Sequence, residues 1–282
     1  MKWLSFHFRN STMPCNKGID VDVAWTALLG LRDGKNDKTI TFNGLGAWSA
    51  VGPVTAKAQD LLNLYAPFLL KKPTVTGHLG QSMDGFIATQ NGLSHYITGP
   101  ENIVHLHRMR ALADAILVGN KTVLNDDPQL TTRLITGPNP TRIVIDPTLR
   151  LSSKHRVFRN SEAATLILCG EDACQKPRRL SEHVEILPIP LHMGELDPKM
   201  CVHALTSRGL DRLFIEGGGQ TVSKFVNAKV VHRLHITIAP IFLGAGRTGL
   251  QVHPTTNPNS AFQHDYQRYS MGDDMLFDYK LI

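Results

Sequence analysis

Residues 211–229, DRLFIEGGGQTVSKFVNAK, run from a short apolar segment into Glu216, three glycines, and then Val222, Phe225 and Val226 at helical spacing. The pattern reads as strand, tight turn, helix. Glycine lets a ligand approach the backbone closely, and the first turn of a helix offers unpaired N–H groups to an anion. A phosphate-bearing cofactor is one reading of Gly217, Gly218 and Gly219, and a tight corner without a ligand is the other. A second dense stretch is residues 119–133, GNKTVLNDDPQLTTR, in which a strand ends at Gly119 and a short turn carries Thr122. Asn125, Asp126, Asp127 and Pro128 then form a rigid loop, so the carboxylates either cap that turn or divide their work between turn and ligand. Arg110 and Arg133 bracket the same strand, and paired guanidinium forks suit phosphate oxygens. Residues 77–88, GHLGQSMDGFIA, place Gly80 and Ser82 near a strand end with a turn signal at Asp84 and Gly85. Ser94 and Tyr96 follow before a helix start, where a loop over a cofactor would sit.

Other chemistries find less support. Gly244, Gly246 and Gly249 spell G-x-G-x-x-G, but LQVHPTTNPNS follows, and Pro254 and Pro258 rule out the helix that a dinucleotide fingerprint needs. His105 and His107 are two residues apart and point to different faces of a helix, and neither H-E-x-x-H nor a Cys/His cluster occurs, so no metal is expected. No G-x-S-x-G marks a serine nucleophile.

The elements that must hold these residues alternate. After Pro73, β-rich runs at 74–79, 115–118, 142–145, 165–168, 184–189, 212–215, 235–241 and 275–281 are separated by helical segments, notably 100–113, 198–208 and 220–229. That order predicts an α/β sheet with crossover connections and a final antiparallel hairpin. Thr98 with Glu101 predicts a capping box, and Asp197 before Pro198 a second helix start. Ahead of Pro73, residues 1–18 look irregular, and two amphipathic helices, one from Val21 and one from Val54, predict a small helical N-terminal appendage, residues 1–73. Lys71, Lys72 and Pro73 read as its linker to a main domain, residues 74–282.

Composition excludes several classes. The 282 residues are 42% hydrophobic and 19% charged, enough for a full core, and the net charge of +6 is spread rather than clustered. No nucleic-acid arm and no membrane span are therefore expected, and anionic small molecules suit the charge. The four cysteines form no C-x-x-C pair, and the N-terminus lacks a signal-peptide pattern, so a cytoplasmic protein with reduced thiols is the default expectation.

Five blocks, SMDGFIA with SHYITGP, LHRMRALADAILVGNKTVLNDDPQLTTR, PTRIVIDPTLRL, RLFIEGGGQTVSKF and TIAPIFLGAGRTGL, occur in this order. In order and spacing, residues 74–282 resemble the reductase domain of the bifunctional riboflavin-biosynthesis deaminase/reductase. The resemblance implies a dihydrofolate-reductase-like fold, NADPH as cofactor, and reduction of 5-amino-6-(5-phosphoribosylamino)uracil, a small phosphorylated pyrimidine. It implies that Gly80, Thr122 and Asp126 lie near the nicotinamide half of NADPH, that Tyr96 belongs to the cofactor-binding set, and that Gly218, Gly219, Gln220 and Thr221 hold its phosphates. Ser94, Arg110, Leu130, Arg133 and Glu216 correspond to the substrate set, and Asp126 is the candidate for proton handling. A homodimer is implied in the same way. Tyr96 stands where the family often has tryptophan, and Pro147 where it often has a small polar residue. The zinc-ligand pattern of the fused deaminase is absent, so deamination is not expected. Two alternatives remain: reduction of a related diaminopyrimidinone or pterin-like substrate, and a non-catalytic nucleotide-binding protein on the same fold.

Overall fold

The computed structural model describes residues 18–35, 37–44, 47–94, 97–175, 180–257 and 264–282. The expected irregular start, residues 1–18, lies outside them except for Gly18, and so does Tyr96. The chain begins with α1 (Val21–Arg32), β1 (Ile40–Phe42), β2 (Trp48–Ala50) and α2 (Ala56–Leu70). There follow β3 (Thr74–Ser82), β4 (Phe86–Thr89), α3 (Pro100–Leu112), β5 (Ala115–Gly119), α4 (Asn120–Asp126) and β6 (Thr141–Ile145). Next come α5 (Arg156–Arg159), β7 (Thr165–Gly170), β8 (Val184–Ile189), β9 (Leu191–His192), β10 (Glu195–Leu196) and α6 (Pro198–Thr206). The chain closes with β11 (Arg212–Gly217), α7 (Gly219–Asn227), β12 (Arg233–Ala239), β13 (Gly246–Thr248), β14 (Tyr266–Met271) and β15 (Asp274–Lys280).

Nine strands form the main sheet in the order β14-β15-β12-β3-β11-β5-β6-β7-β8. Every pairing from β12 to β8 is parallel, and β15 and β14 add an antiparallel edge. This is the mostly parallel sheet with a C-terminal antiparallel hairpin that the element order predicts, although β14 gives no strand signal in the sequence. Parallel strands buried on both faces explain the near-continuous apolar runs. Alternation along β11 sends Leu213 and Ile215 to one core, with Val222 and Phe225 of α7, and Phe214 to the other.

The second core includes the N-terminal helices. Trp25 and Leu28 of α1 and Leu62, Tyr65 and Phe68 of α2 pack in one cluster with Met109 and Leu112 of α3 and Leu276 of β15. Each such side chain, fully buried, contributes roughly 1.5–3 kcal/mol. α1 is capped by Asp20, whose carboxylate accepts from the Asp22 and Val23 N–H groups at 3.1 and 3.0 Å. The N-terminal segment is more than helical, because β1 and β2 pair as an antiparallel hairpin. Three-residue strands flanked by Asn and Gly carry too few residues for period-two alternation to register.

Helix starts differ in one respect from expectation. Asp197 caps α6 through the Lys199 N–H at 2.7 Å. At α3, however, the cap position is Gly99, whose N–H is held by the distant Asp274 carboxylate at 2.7 Å, while Thr98 accepts from the Asn102 amide. A long-range carboxylate has replaced the local capping box. α4 likewise forms where a turn was expected.

Candidate active site

At the carboxyl ends of β5, β6 and β11 lies a cleft of 880 Å³, the position where open α/β sheets bind ligands. One wall is the start of α7. Gly218 donates its N–H to Thr122 Oγ1 at 2.9 Å, and no side chain caps the helix, so its N-terminus faces the cleft unblocked. The approach is close: a Cβ on Gly219 would lie 2.6 Å from the Gly249 carbonyl oxygen, and one on Gly119 would lie 2.4 Å from Thr221 Oγ1. At Gly219, where the neighbours are backbone, only glycine fits, whereas at Gly119 the Thr221 hydroxyl would have to turn away. Lys121, Lys224 and Arg247 stand around the same space. Lys121 donates to Gln220 at 3.0 Å, and Lys224 pairs with Glu195, on β10, at 2.7 Å.

The far wall belongs to α4. Asp126 lies in the cleft and accepts from Ser94 Oγ at 2.9 Å. Its neighbour Asp127 ends the helix with φ of 40° and turns away, accepting from the Arg156 N–H at 2.8 Å. The two carboxylates thus point different ways, Asp126 into the cleft and Asp127 not onto its own turn but onto the start of α5, nearly thirty residues on. Thr122, Asp126, Gly218, Gly219, Gln220, Thr221 and Ser94 all line this one cleft.

Arg110, Leu130, Arg133 and Glu216 form a second group that does not line it. Between Ile215 and Gly217 the β11–β5 ladder shifts register, and Glu216 is the extra residue of that bulge. Bulges re-aim side chains near active sites. Here Glu216 meets Arg110 of α3 in a two-point ion pair, through Nε to Oε2 at 2.7 Å and through Nη2 to Oε1, with both side chains about nine-tenths buried. Arg110 Nη1 also donates to the Thr131 carbonyl at 3.0 Å. Most of its donors are therefore spent inside the protein. Arg133 is exposed and donates to Thr131 Oγ1 at 2.8 Å. Arg133 Nη1 reaches the same Thr131 carbonyl at 3.3 Å, so the two guanidinium groups share one acceptor; burial, and then Arg110 and Arg156, hold the Arg133 guanidinium below its usual range. His107 supports the same loop: its Nδ1 accepts from the Arg133 N–H at 2.8 Å. Burial first, then Arg110 and Arg133, pull its pKa down to about 4, so the ring is neutral at neutral pH and acts as an acceptor. Leu130 is fully buried with φ of 57°. A bulky residue in the left-handed region costs about 1–3 kcal/mol and marks a backbone held for a purpose.

Gly80 sits apart from both groups. A Cβ there would lie 2.8 Å from Thr98 Cγ2, so its smallness serves the packing of β3 on the start of α3. The G-x-G-x-x-G stretch carries β13, which pairs with β4, and among the described residues no helix follows it before β14. Among the described residues, no group of three or more His, Cys, Asp or Glu side chains could hold a metal ion, and no helix is long and apolar enough to cross a membrane.

The family model of the RibD C-terminal domain matches residues 73–267. The chain belongs to this family. It is an oxidoreductase of the riboflavin-biosynthesis reductase type, as its relatives' names state. It is 31% identical over 217 residues to the 2,5-diamino-6-ribosylamino-4(3H)-pyrimidinone 5′-phosphate reductase of Methanothermobacter thermautotrophicus, a match covering 74% of this chain and 98% of that protein. It is also 31% identical over 199 residues to the riboflavin biosynthesis protein RibD of Aquifex aeolicus, covering 70% of this chain but 54% of that one. The chain thus spans about half the length of the RibD proteins it matches. In fold it is similar to the deaminase/reductase of Thermotoga maritima (TM-score 0.65, 24% identity, 82% of this chain and 64% of that one). It is similar also to the riboflavin biosynthesis reductase of Saccharomyces cerevisiae (TM-score 0.60, 24% identity, 75% and 90%). Reductases of this fold generally use a nicotinamide cofactor, and the cleft suits one: an uncapped helix start, glycines against backbone and cations at the rim are what bound phosphates require.

Proposed function

We propose that the chain is an NADPH-dependent reductase of a ribosylaminopyrimidine 5′-phosphate, 5-amino-6-(5-phosphoribosylamino)uracil, converting its ribosylamino group to ribitylamino. The observation that carries this reading is the pair of groups around the end of β11: a phosphate-binding cleft on one side and an arginine cluster on the other. NADPH, when bound, supplies the hydride that reduces C1′. Gly218, Gly219, Gln220 and Thr221 bind its phosphates through the α7 N-terminus, with Thr122 fixing the turn. The nicotinamide half is proposed to lie toward Thr122 and Asp126, at the opposite wall of the cleft.

Arg133, with Arg156 nearby, takes the substrate phosphate, because it is the arginine of the cluster with exposed donors. Arg110 and Glu216 form the floor of that site and, with Leu130, set its shape. Ser94 and Asp126 face the opened sugar. Opening of the ribosylamine gives a C1′ imine; as C1′ gains hydride, the nitrogen must gain a proton, and the Ser94–Asp126 hydrogen bond holds a proton-handling carboxylate in place.

A second substrate is favoured by one observation. The chain covers nearly the whole of the archaeal diaminopyrimidinone phosphate reductase but only half of RibD. Incubating the protein with NADPH and each pyrimidine in turn separates the two. Absence of NADPH oxidation with both refutes the reading, as would equal turnover in Arg133→Ala.

A homodimer through the sheet's antiparallel end fits the same reading. Tyr266, Phe277 and Tyr279 stack there with centroids 5.5–6.3 Å apart, and Tyr266 is 54% exposed. Sedimentation of wild type and Tyr266→Lys tests it: a monomer in both removes the proposal.

A further inference from the structure

The N-terminal segment makes a specific contact with the arginine cluster's loop. Residues 131–139 leave the core after Leu130 and return to β6. The loop is tied to itself by the Thr132 N–H to Asn139 Oδ1 (2.7 Å) and by Thr132 Oγ1 to the Pro138 carbonyl (3.0 Å). On its inner side it lies so close to α3 that a Cβ on Gly137 would sit 2.5 Å from the Cβ of Ala111. Its outer end is held by Trp25 of α1, whose indole N–H donates to the Thr136 carbonyl at 2.9 Å. The indole is 9% exposed, meets Tyr65 of α2 edge-on with centroids 6.2 Å apart, and carries the Arg108 guanidinium over its ring at 6.0 Å. Ile135 rests on the same cluster.

Arg133 is the third residue of this loop, held at its own N–H by His107 and three residues before the Trp25 anchor at Thr136. We infer that Trp25 is a positioning residue, through which the N-terminal helices hold the 131–139 loop and so aim Arg133 at the substrate phosphate. The inference rests on the proposed substrate site, and it gives the N-terminal segment a role in substrate affinity rather than in chemistry. A positioned fork loses less freedom on binding its anion than a mobile one. The cofactor cleft, on the other side of β11, shares none of these contacts.

The test is Trp25→Phe, which keeps a ring for Tyr65 and Arg108 and removes the donor along with part of the indole's volume. Some loss of melting temperature therefore accompanies it whichever role is right, and the KM is the deciding readout. KM for the phosphorylated pyrimidine should rise about five- to tenfold, the scale of one lost buried hydrogen bond, while kcat and the KM for NADPH stay within twofold. Amide exchange should quicken at 131–139 and stay unchanged at 219–227. A purely packing role predicts the lower melting temperature with KM unchanged, and that result overturns the inference. The exchange measurement stands apart from turnover: unchanged protection of 131–139 defeats the positioning role even in an active enzyme, whereas an inactive wild type defeats the substrate assignment instead. If Trp25→Phe does not accumulate folded, Arg108→Gln, which strips the cation from the ring, is read in the same way with a smaller shift.

Discussion

Glu216→Ala isolates the Arg110–Glu216 pair and tests the site's architecture. In the native protein both side chains are about nine-tenths buried, and Arg110 has two neutral neighbours in reach, the Thr131 carbonyl and, at 3.5 Å, His107 Nε2. Removing the carboxylate leaves a buried guanidinium with one good acceptor. Breaking a buried pair from one side costs about 3–5 kcal/mol, most of it the stranded charge rather than the worth of the pair. The Thr131 carbonyl moderates this, so the loss should fall near 3 kcal/mol, or roughly 5–10 °C in melting temperature for a chain of this size. Glu216→Gln, which retains an acceptor, should lose about half as much. Arg110→Met combined with Glu216→Leu should recover most of the stability, since apolar replacement of a buried pair is often neutral. Urea unfolding of the four proteins measures the series, and NADPH oxidation measures activity alongside it. The double variant should be stable and unable to turn over the phosphorylated pyrimidine. If Glu216→Ala loses under about 1 kcal/mol, the pair is solvated and the argument from burial fails; if the double variant turns over normally, the pair is not the floor of a substrate site.

Three further outcomes are expected. Gly219→Ala forces a methyl group against two backbone carbonyls, at 2.6 and 2.9 Å, so NADPH affinity followed by nucleotide fluorescence should fall at least about tenfold; unchanged affinity would show that α7 is not the phosphate site. Asp126→Asn should lower kcat by about 10²-fold or more while leaving NADPH binding intact, and a change confined to KM would make Asp126 a binding group only. Stability should decline below neutral pH through buried histidines. Burial drives the pKa of His78 from 6.5 to about 3, burial also carries His105 well below its usual value, and His107 falls to about 4. Unfolded, each binds a proton from about pH 6.5 downward, whereas the folded forms stay neutral until far lower. Unfolding therefore takes up protons, stability rises with pH across this window, and each ring contributes up to about 1.4 kcal/mol per pH unit as pH falls from 6.5 toward 4. Urea midpoints that are flat from pH 7 to 5 would contradict this.

Much of the sheet was legible because its parallel strands are apolar on both faces and are separated by capped, periodic helices. Strand edges moved by one to three residues: β3 runs on to Ser82, because Gly80 and Gln81 carry no apolar signal yet pair with β12, whereas β12 stops at Ala239 and β15 at Lys280, short of the expected 241 and 281. The cleft was legible where glycine does the work. The Gly217–Gly219 turn stood out because its spacing reports a backbone constraint, and Asp126 stood out as one of a carboxylate pair. What could not be read was reach. Arg110 and Glu216 are 106 positions apart, and nothing in either segment says that each consumes the other. Lys121, Arg156 and Arg247 look like ordinary surface cations until the fold gathers them. Trp25 resembled any core aromatic on an amphipathic helix, since its indole partner is a main-chain oxygen, invisible to residue type. The capping box failed for a related reason: Asp274, far along the chain, outcompeted the local glutamate for the helix start.

The bulge at Glu216 separates what the sheet needs from what the site needs. Ile215 faces Leu117 and Gly217 faces Val118, so one residue of β11 has no counterpart on β5. Removing that residue would close the ladder into a regular pairing and cost the sheet little, while the arginine beneath would lose its carboxylate and the strand's tip would shorten by a step. A chain with this deletion would keep the parallel pairings of β11 and leave the buried Arg110 guanidinium without its carboxylate. One unmatched residue thus lets a strand keep its parallel partners and still turn a carboxylate out of the ladder's alternation toward a neighbouring helix.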